Sequence, residues 1–169
     1  APLHEWCRFR KLAVMETVTA IRHLRDHVGQ TVRLRGWVYH SRPGGKITFL
    51  LLRDGTGLCQ CVIEKNDASA GFYDDIKRLA QESSLEVTGT VSADERSIGG
   101  FEVRVTDARV IQSARDYPIT PKPHGIEFLM KHRHLWFRSK RPWHVLRIRA
   151  TVVDQIRRFF NDNGYVLID

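Results

Sequence analysis

Cysteine is scarce in this chain: there are three in 169 residues, and none is arranged as Cys-x-x-Cys. A disulfide framework needs paired cysteines, and a structural zinc needs four ligands at suitable spacing. Neither has support, and a reduced, cytoplasmic setting is the expectation. Long apolar runs are also missing. No stretch approaches the roughly 20 uninterrupted apolar residues that cross a bilayer, and no hydrophobic signal region is recognisable, so nothing addresses a membrane. A nucleophile elbow, a phosphate loop and a pair of catalytic carboxylates are absent as well, which leaves the chain without a visible active site.

The residues that are present suit a soluble globule. Hydrophobic residues make up 42% of the chain, enough for one sizeable core at this length. Lys and Arg number 27 against 19 Asp and Glu, a net charge of +8. That balance favours a polyanionic partner such as RNA but cannot identify one. Cys59 and Cys61 stand two apart in an apolar run, where a strand would point both to one face as small buried hydrophobes.

Residues 1–14 show no clear period and lead to Met15, the position of a natural start, so they are expected to be an extension outside the fold. From Thr17, the spacing of Val18, Ile21, Leu24 and Val28 predicts a short amphipathic helix stopped by Gly29. TVRLRGWVYH then alternates, with Val32, Leu34 and Val38 on one side and Arg33, Arg35, Trp37 and Tyr39 on the other. Arg42-Pro43-Gly44-Gly45 is turn chemistry. It leads to a second strand, KITFLLLRD, and past Asp54-Gly55 to a third, LCQCVIE. GFYDDIKRLAQES predicts a helix of about three turns with Phe72, Ile76 and Leu79 on one stripe. SLEVTGTVS and GFEVRVTDARVIQ are two further strands around the loop DERSIGG.

Three strands, a helix and two strands over residues 15–112 match the five-stranded OB barrel, although other small α+β folds share this order. In residues 113–130, Pro118, Pro121, Pro123 and Gly125 predict an extended hinge. A second unit, residues 131–169, follows. Its apolar positions Val145, Ile148, Val152, Ile156, Phe159 and Phe160 trace a helical stripe ending at Asn161-Asp162-Asn163-Gly164, and YVLI is expected to begin a strand. One helix and one strand cannot enclose a core, so this unit is expected to be incomplete or to need a partner.

The outward face of the second and third strands holds the candidate binding residues. Ile47, Phe49, Leu51 and Arg53 share one face, as do Leu58, Gln60, Val62 and Glu64, with Arg42 and Lys46 nearby. A splayed base can stack on a ring such as Phe49, and an amide such as Gln60 reads a base edge. Trp37 and Tyr39 offer further stacking or else pack beneath the first helix. Phe49 taken alone is more often a core residue than a platform, but Gln60, flanked by two cysteines, points away from theirs and shifts the balance. Residues 131–149 hold seven Lys or Arg, three His and no acid, which suits phosphate contact or a solvated face equally. His132, His134 and His144 have neither a carboxylate partner nor metal spacing.

The run RGWVYHSRPGGKITFLLLRDGTGLCQCVIE resembles the anticodon-binding barrel of the aspartyl, asparaginyl and lysyl tRNA synthetases. The run YPITPKPHGIEFLMKHRHLWFRSKR, with RHLW where aspartyl enzymes carry an RYLDLR-like string, resembles the asparaginyl family. The helix from Val145 with NGYVLID resembles motif 1 of class II synthetases, the element of their dimer interface. This resemblance implies that Phe49 stacks on the central anticodon uridine, that Gln60 hydrogen-bonds to it, and that Arg42 lies by the first anticodon bases or their phosphates. Trp37 and Lys46 complete the expected anticodon-binding set. Val152, Ile156, Phe159 and Phe160 are the expected homodimer contacts.

The same resemblance implies an N-terminal portion of a ligase whose full length uses ATP and Mg²⁺ to make asparaginyl-AMP and transfers asparagine to tRNA(Asn). Motifs 2 and 3 and the motif 1 proline are absent, so the chain is expected to be inactive alone. Val62 stands where relatives often carry another aromatic. Two alternatives remain open: the equivalent portion of an aspartate–tRNA ligase, and a freestanding OB module for single-stranded nucleic acid.

Overall fold

The structure is a computed structural model and describes residues 18–66 and 69–168. The expected extension, residues 1–14, lies outside the described residues, as do Met15 and Thr17. The chain divides into two units, Ala1–Tyr117 and Pro118–Asp169.

Alternation carries the first unit. Strand β1 (Thr31–Pro43) buries Val32, Leu34 and Val38; β2 (Ile47–Arg53) buries Thr48, Leu50 and Leu52; β3 (Leu58–Glu64) buries Cys59, Cys61 and Ile63. Leu85, Val87 and Val91 of β4 (Ser84–Ala93) and Val103 of β5 (Phe101–Gln112) complete the inner face. The strand order β1-β2-β3-β5-β4 closes into a barrel, because β1 pairs antiparallel with both β2 and β4 while β3 runs parallel to β5. Closure gives each of the five strands a neighbour on both sides, and the result is the five-stranded OB fold. Register shifts at Val38/His40 and Thr88/Gly89 supply the sharp bending that so small a barrel needs. At Gly89 a Cβ would fall on the Arg104 carbonyl oxygen, so only glycine lets β4 and β5 approach there.

Several elements differ from the sequence expectation. The first helix is a 3-10 segment, Ile21–His27, which buries Ile21 and Leu24 and leaves Val18 and Val28 about half exposed. Its ends are pinned to the barrel: Thr19 N–H donates to Arg33 O, Ile21 N–H to Asp54 Oδ2 and Gly29 N–H to Val91 O. So short a segment, tied at both ends, tightens instead of forming α-turns. Arg42 and Pro43 belong to β1, and the reversal is made by residues 44–46, with Gly44 N–H donating to Ile47 O.

Helix α1 spans only Tyr73–Lys77, burying Tyr73 and Ile76 beside Phe72 and Leu79, so the expected three turns are cut short. Glu82 N–H donates to Val38 O, and Val38 N–H donates to Ser83 O. The chain is therefore already pairing with β1 where the helix stripe would have continued.

In the second unit, α2 (Ile126–Lys131) starts inside the segment expected to be an extended hinge, three residues after Pro123. Helices α3 (Arg133–Trp136) and α4 (Lys140–Asp162) follow, and α4 ends at Asn163 and Gly164, where Gly164 takes φ +81°. The expected strand at YVLI does not form: residues 165–168 take no regular structure. A strand exists only through its neighbours, and among the described residues these four have no ladder partner.

Candidate nucleic-acid interface

The outward face of β2 and β3 forms the floor of an open groove of about 400 Å³. Phe49 is directly opposite Val62, and Leu51 is opposite Gln60, so Phe49 and Gln60 are diagonal neighbours on one outer surface. Both are half-buried, held by the pleat but open to the groove. Arg42 is paired with Phe49 across the hairpin, and its guanidinium carbon lies 5.7 Å from the ring centroid, a cation–π contact. Val62, 9% exposed, lines the groove beside Phe49.

The opposite wall comes from β5 and the loop before it. Parallel pairing of β3 with β5 sets Gln60 beside Glu102 and Val62 beside Arg104. The Gln60 amide nitrogen donates to Ser97 Oγ at 3.2 Å and to Glu102 Oε2 at 3.4 Å. Arg104 Nε is 3.7 Å from Glu102 Oε1, and Arg96 Nε is 3.1 Å from Asp94 Oδ1. Hydrogen bonds from the Arg96 side chain and backbone hold the Asp94 carboxyl below the usual aspartate range. The groove thus carries Arg42, Arg96 and Arg104 against Glu64, Asp94 and Glu102, and is nearly balanced in charge. Its basic members suit phosphate contact, its ring suits stacking, and its amide and carboxylates suit base edges.

The other expected residues lie elsewhere. Trp37, 40% exposed, is opposite Arg53 and Ser84 and is not among the groove's lining residues. Arg53 is occupied by Glu82, Nη2 to Oε2 at 2.8 Å, and lies over the Tyr39 ring. Lys46 is exposed in the hairpin turn, where its carbonyl accepts from Lys65 N–H. Sequence reasoning missed Ser97, Glu102 and Arg104. Ser97 and Glu102 reach Gln60, and Arg104 reaches Glu102, across a long sequence separation, 42 residues in the case of Glu102, and no local pattern signals that.

Cys59 and Cys61 are both buried, and the Cys59 thiol together with burial pushes Cys61 well above the ordinary thiol range. Such a thiol is protonated and unreactive at neutral pH. Among the described residues, no group of three or more His, Cys, Asp or Glu converges on a metal position. No helix among them is long and apolar enough to cross a membrane.

The second unit presents a different surface. Helix α4 has no buried residue, and Val152, Ile156, Phe159 and Phe160 are 51%, 51%, 62% and 48% exposed. Phe160 packs edge-on against both Phe159 and Tyr165, with centroids 5.5 Å apart in each case. Within the basic stretch, Arg147 lies 4.8 Å from the Trp143 ring and Arg133 lies 5.1 Å from that of Phe137.

The family of OB-fold nucleic acid binding domains of the tRNA anticodon type matches residues 32–111, the whole barrel apart from its outer ends. The asparagine–tRNA ligase of Symbiobacterium thermophilum is 48% identical over 155 residues, covering 92% of this chain and 35% of that protein. Over 92% of its length the chain is similar to an asparagine–tRNA ligase, and its barrel is similar to the OB-fold nucleic acid binding domains. It spans about a third of the length of the curated relatives it matches, and its barrel corresponds to their N-terminal anticodon-binding domain. The crystal structure of asparaginyl-tRNA synthetase from Pyrococcus horikoshii, complexed with asparaginyl-adenylate, superposes with a TM-score of 0.83 at 34% identity, covering 92% of this chain and 36% of that one. The aspartyl-tRNA synthetase of Entamoeba histolytica superposes with a TM-score of 0.79 at 22% identity, covering all of this chain and 42% of that one; it shares the fold. Identity therefore favours the asparagine–tRNA ligases over the aspartyl alternative.

Proposed function

We propose that this chain is the tRNA-reading part of an enzyme that activates asparagine with ATP and transfers it to tRNA(Asn), acting in the cytoplasm. The observation that carries the reading is the groove itself, where Phe49, capped by Arg42, and Gln60 stand together on the barrel of an asparagine–tRNA ligase homologue. Phe49 stacks on the central anticodon base, Gln60 bonds to its edge, and Arg42 neutralises the neighbouring phosphates or bases, with Trp37 and Lys46 contacting flanking nucleotides. The same reading divides the chain into barrel (residues 15–112), connecting segment (113–130) and start of the catalytic domain (131–169).

Catalysis belongs to the rest of the enzyme. In this reading ATP and Mg²⁺ are bound by the full-length enzyme and not by this chain. The exposed stripe of Val152, Ile156, Phe159 and Phe160 forms the homodimer contact of the whole protein.

A chimera tests this reading. This chain replaces the matching third of the Symbiobacterium thermophilum asparagine–tRNA ligase, and charging is measured with asparagine and with aspartate. The expected result is asparagine transfer to tRNA(Asn), lost when the anticodon GUU is altered. Charging that ignores the anticodon would instead favour a general single-strand-binding OB module.

A further inference from the structure

The barrel sets most of its arginines against its own carboxylates. Within residues 18–117, Lys and Arg number 14 against 13 Asp and Glu. Arg35 is bonded to Glu86 at 2.6 Å, Arg53 to Glu82 at 2.8 Å and Arg96 to Asp94 at 3.1 Å, so these charges meet a ligand already neutralised. The surplus lies in the second unit. Residues 118–169 hold ten Lys or Arg against the four acids Glu127, Asp154, Asp162 and Asp169, which accounts for +6 of the net charge of +8.

Those acids stand outside the densest basic part. Glu127 pairs with Lys131 at 3.0 Å and Asp154 with Arg158 at 2.9 Å, whereas residues 132–149 contain six Lys or Arg and no acid. Two of the six rest on aromatic rings, Arg133 at 5.1 Å from the Phe137 centroid and Arg147 at 4.8 Å from that of Trp143. A ring holds a guanidinium in place without cancelling its charge, and it leaves the N–H groups around the edge for an anion. Arg133, Lys140 and Arg147 are all exposed. Along α4, Lys140, His144 and Arg147 follow one another at four and three residues on one side, opposite the apolar stripe of Val145, Val152 and Ile156. A ligand on the basic side therefore leaves the stripe open.

We infer that the basic surface of α3 and α4, through Arg133, Lys140 and Arg147, binds the phosphate backbone of the tRNA whose anticodon the barrel reads. This rests on the tRNA reading above and deepens it. Salt-dependent affinity then comes chiefly from the second unit, and choice among anticodons from the barrel.

The test titrates this chain with a whole tRNA(Asn) transcript, and with the same transcript carrying an altered anticodon, at several salt concentrations. In the double variant Lys140→Gln/Arg147→Gln, the slope of log K against log salt is expected to become shallower by about 1.8, at roughly 0.9 for each duplex phosphate left unneutralised. Affinity at low salt is expected to fall about tenfold, by the same factor for both transcripts, because a phosphate contact carries no sequence information. Lys77→Gln/Arg78→Gln removes the same charge from exposed positions of α1 and is expected to shift the slope by about 0.3 or less. Arg147→Lys keeps the charge and is expected to keep the slope. All the substituted residues are exposed, and melting curves matching wild type check that each variant is folded.

An unchanged slope in Lys140→Gln/Arg147→Gln, as a solvated face or a protein-contacting one would give, would overturn the proposal. An equal change in Lys77→Gln/Arg78→Gln would do the same. Neither result touches the anticodon reading, which fails instead if wild type binds the two transcripts equally.

Discussion

Arg42 lies over the ring of Phe49, its guanidinium carbon 5.7 Å from the centroid, and the two are directly paired across the β1–β2 hairpin. The charge therefore lies beside the aromatic ring that lines the groove, so that a base arriving on Phe49 meets a cation next to the ring. Phe49→Ala removes the platform. The expected loss in affinity for a single-stranded loop is about 1–3 kcal/mol, the range for one stacked base, as read by fluorescence titration. The barrel should survive, since Phe49 points outward and the core beneath it, Leu50 and Leu52, is untouched.

Arg42→Gln separates charge from stacking. If Arg42 neutralises one phosphate, the slope of log K against log salt should become shallower by about 0.7 for a single-stranded ligand. Titrations at several salt concentrations measure it, and an unchanged slope would assign Arg42 to the ring and bases alone.

Closure of the barrel depends on Gly89. An alanine methyl there collides with the backbone of Arg104 and with the Val103 side chain, so β4 and β5 must separate at the register shift. Gly89→Ala is expected to cost about 1–3 kcal/mol, as overpacking does, and to lower the melting temperature measurably. Gly45→Ala, in open space at the hairpin, is the matching control and should change little.

On the far side of β1, Glu86 accepts from Arg35 at 2.6 Å, with Arg33 at 3.7 Å and Arg109 its β5 register partner. The Arg35 hydrogen bond, aided by the charges of Arg35, Arg33 and Arg109, holds Glu86 below the usual glutamate range despite its partial burial. Because the folded state favours the ionised form, the stabilisation is present above the unfolded value, ~4.3, and fades as pH falls through the lower folded value. Glu86→Gln should therefore melt below wild type at neutral pH, by no more than about 1 kcal/mol, and the gap should close on acidification below pH ~4. A gap independent of pH would contradict the ion-pair account.

The barrel was readable from period-two alternation because that signal is local: Val32, Leu34, Leu50, Leu52, Cys59 and Cys61 each declare an inward face within their own strand. The shared outward face of Phe49 and Gln60 follows from the same parity. Glu102, Ser97 and Arg104 were not readable, since only the parallel β3–β5 ladder brings β5 and the loop before it beside Gln60 and Val62. The shortened α1 has a long-range cause: the Glu82 N–H, which a longer helix would use internally, is taken by Val38 of the barrel. Residues 165–168 show the converse case, a strand-like run without a partner strand among the described residues.

Binding of this chain, and of its Phe49→Ala variant, to an anticodon stem-loop bearing GUU, compared with loops of altered anticodon at one fixed salt concentration, tests the central claim most directly. The account predicts a preference for GUU that collapses in the variant. Equal, salt-sensitive binding to every loop, unchanged by the substitution, would contradict it.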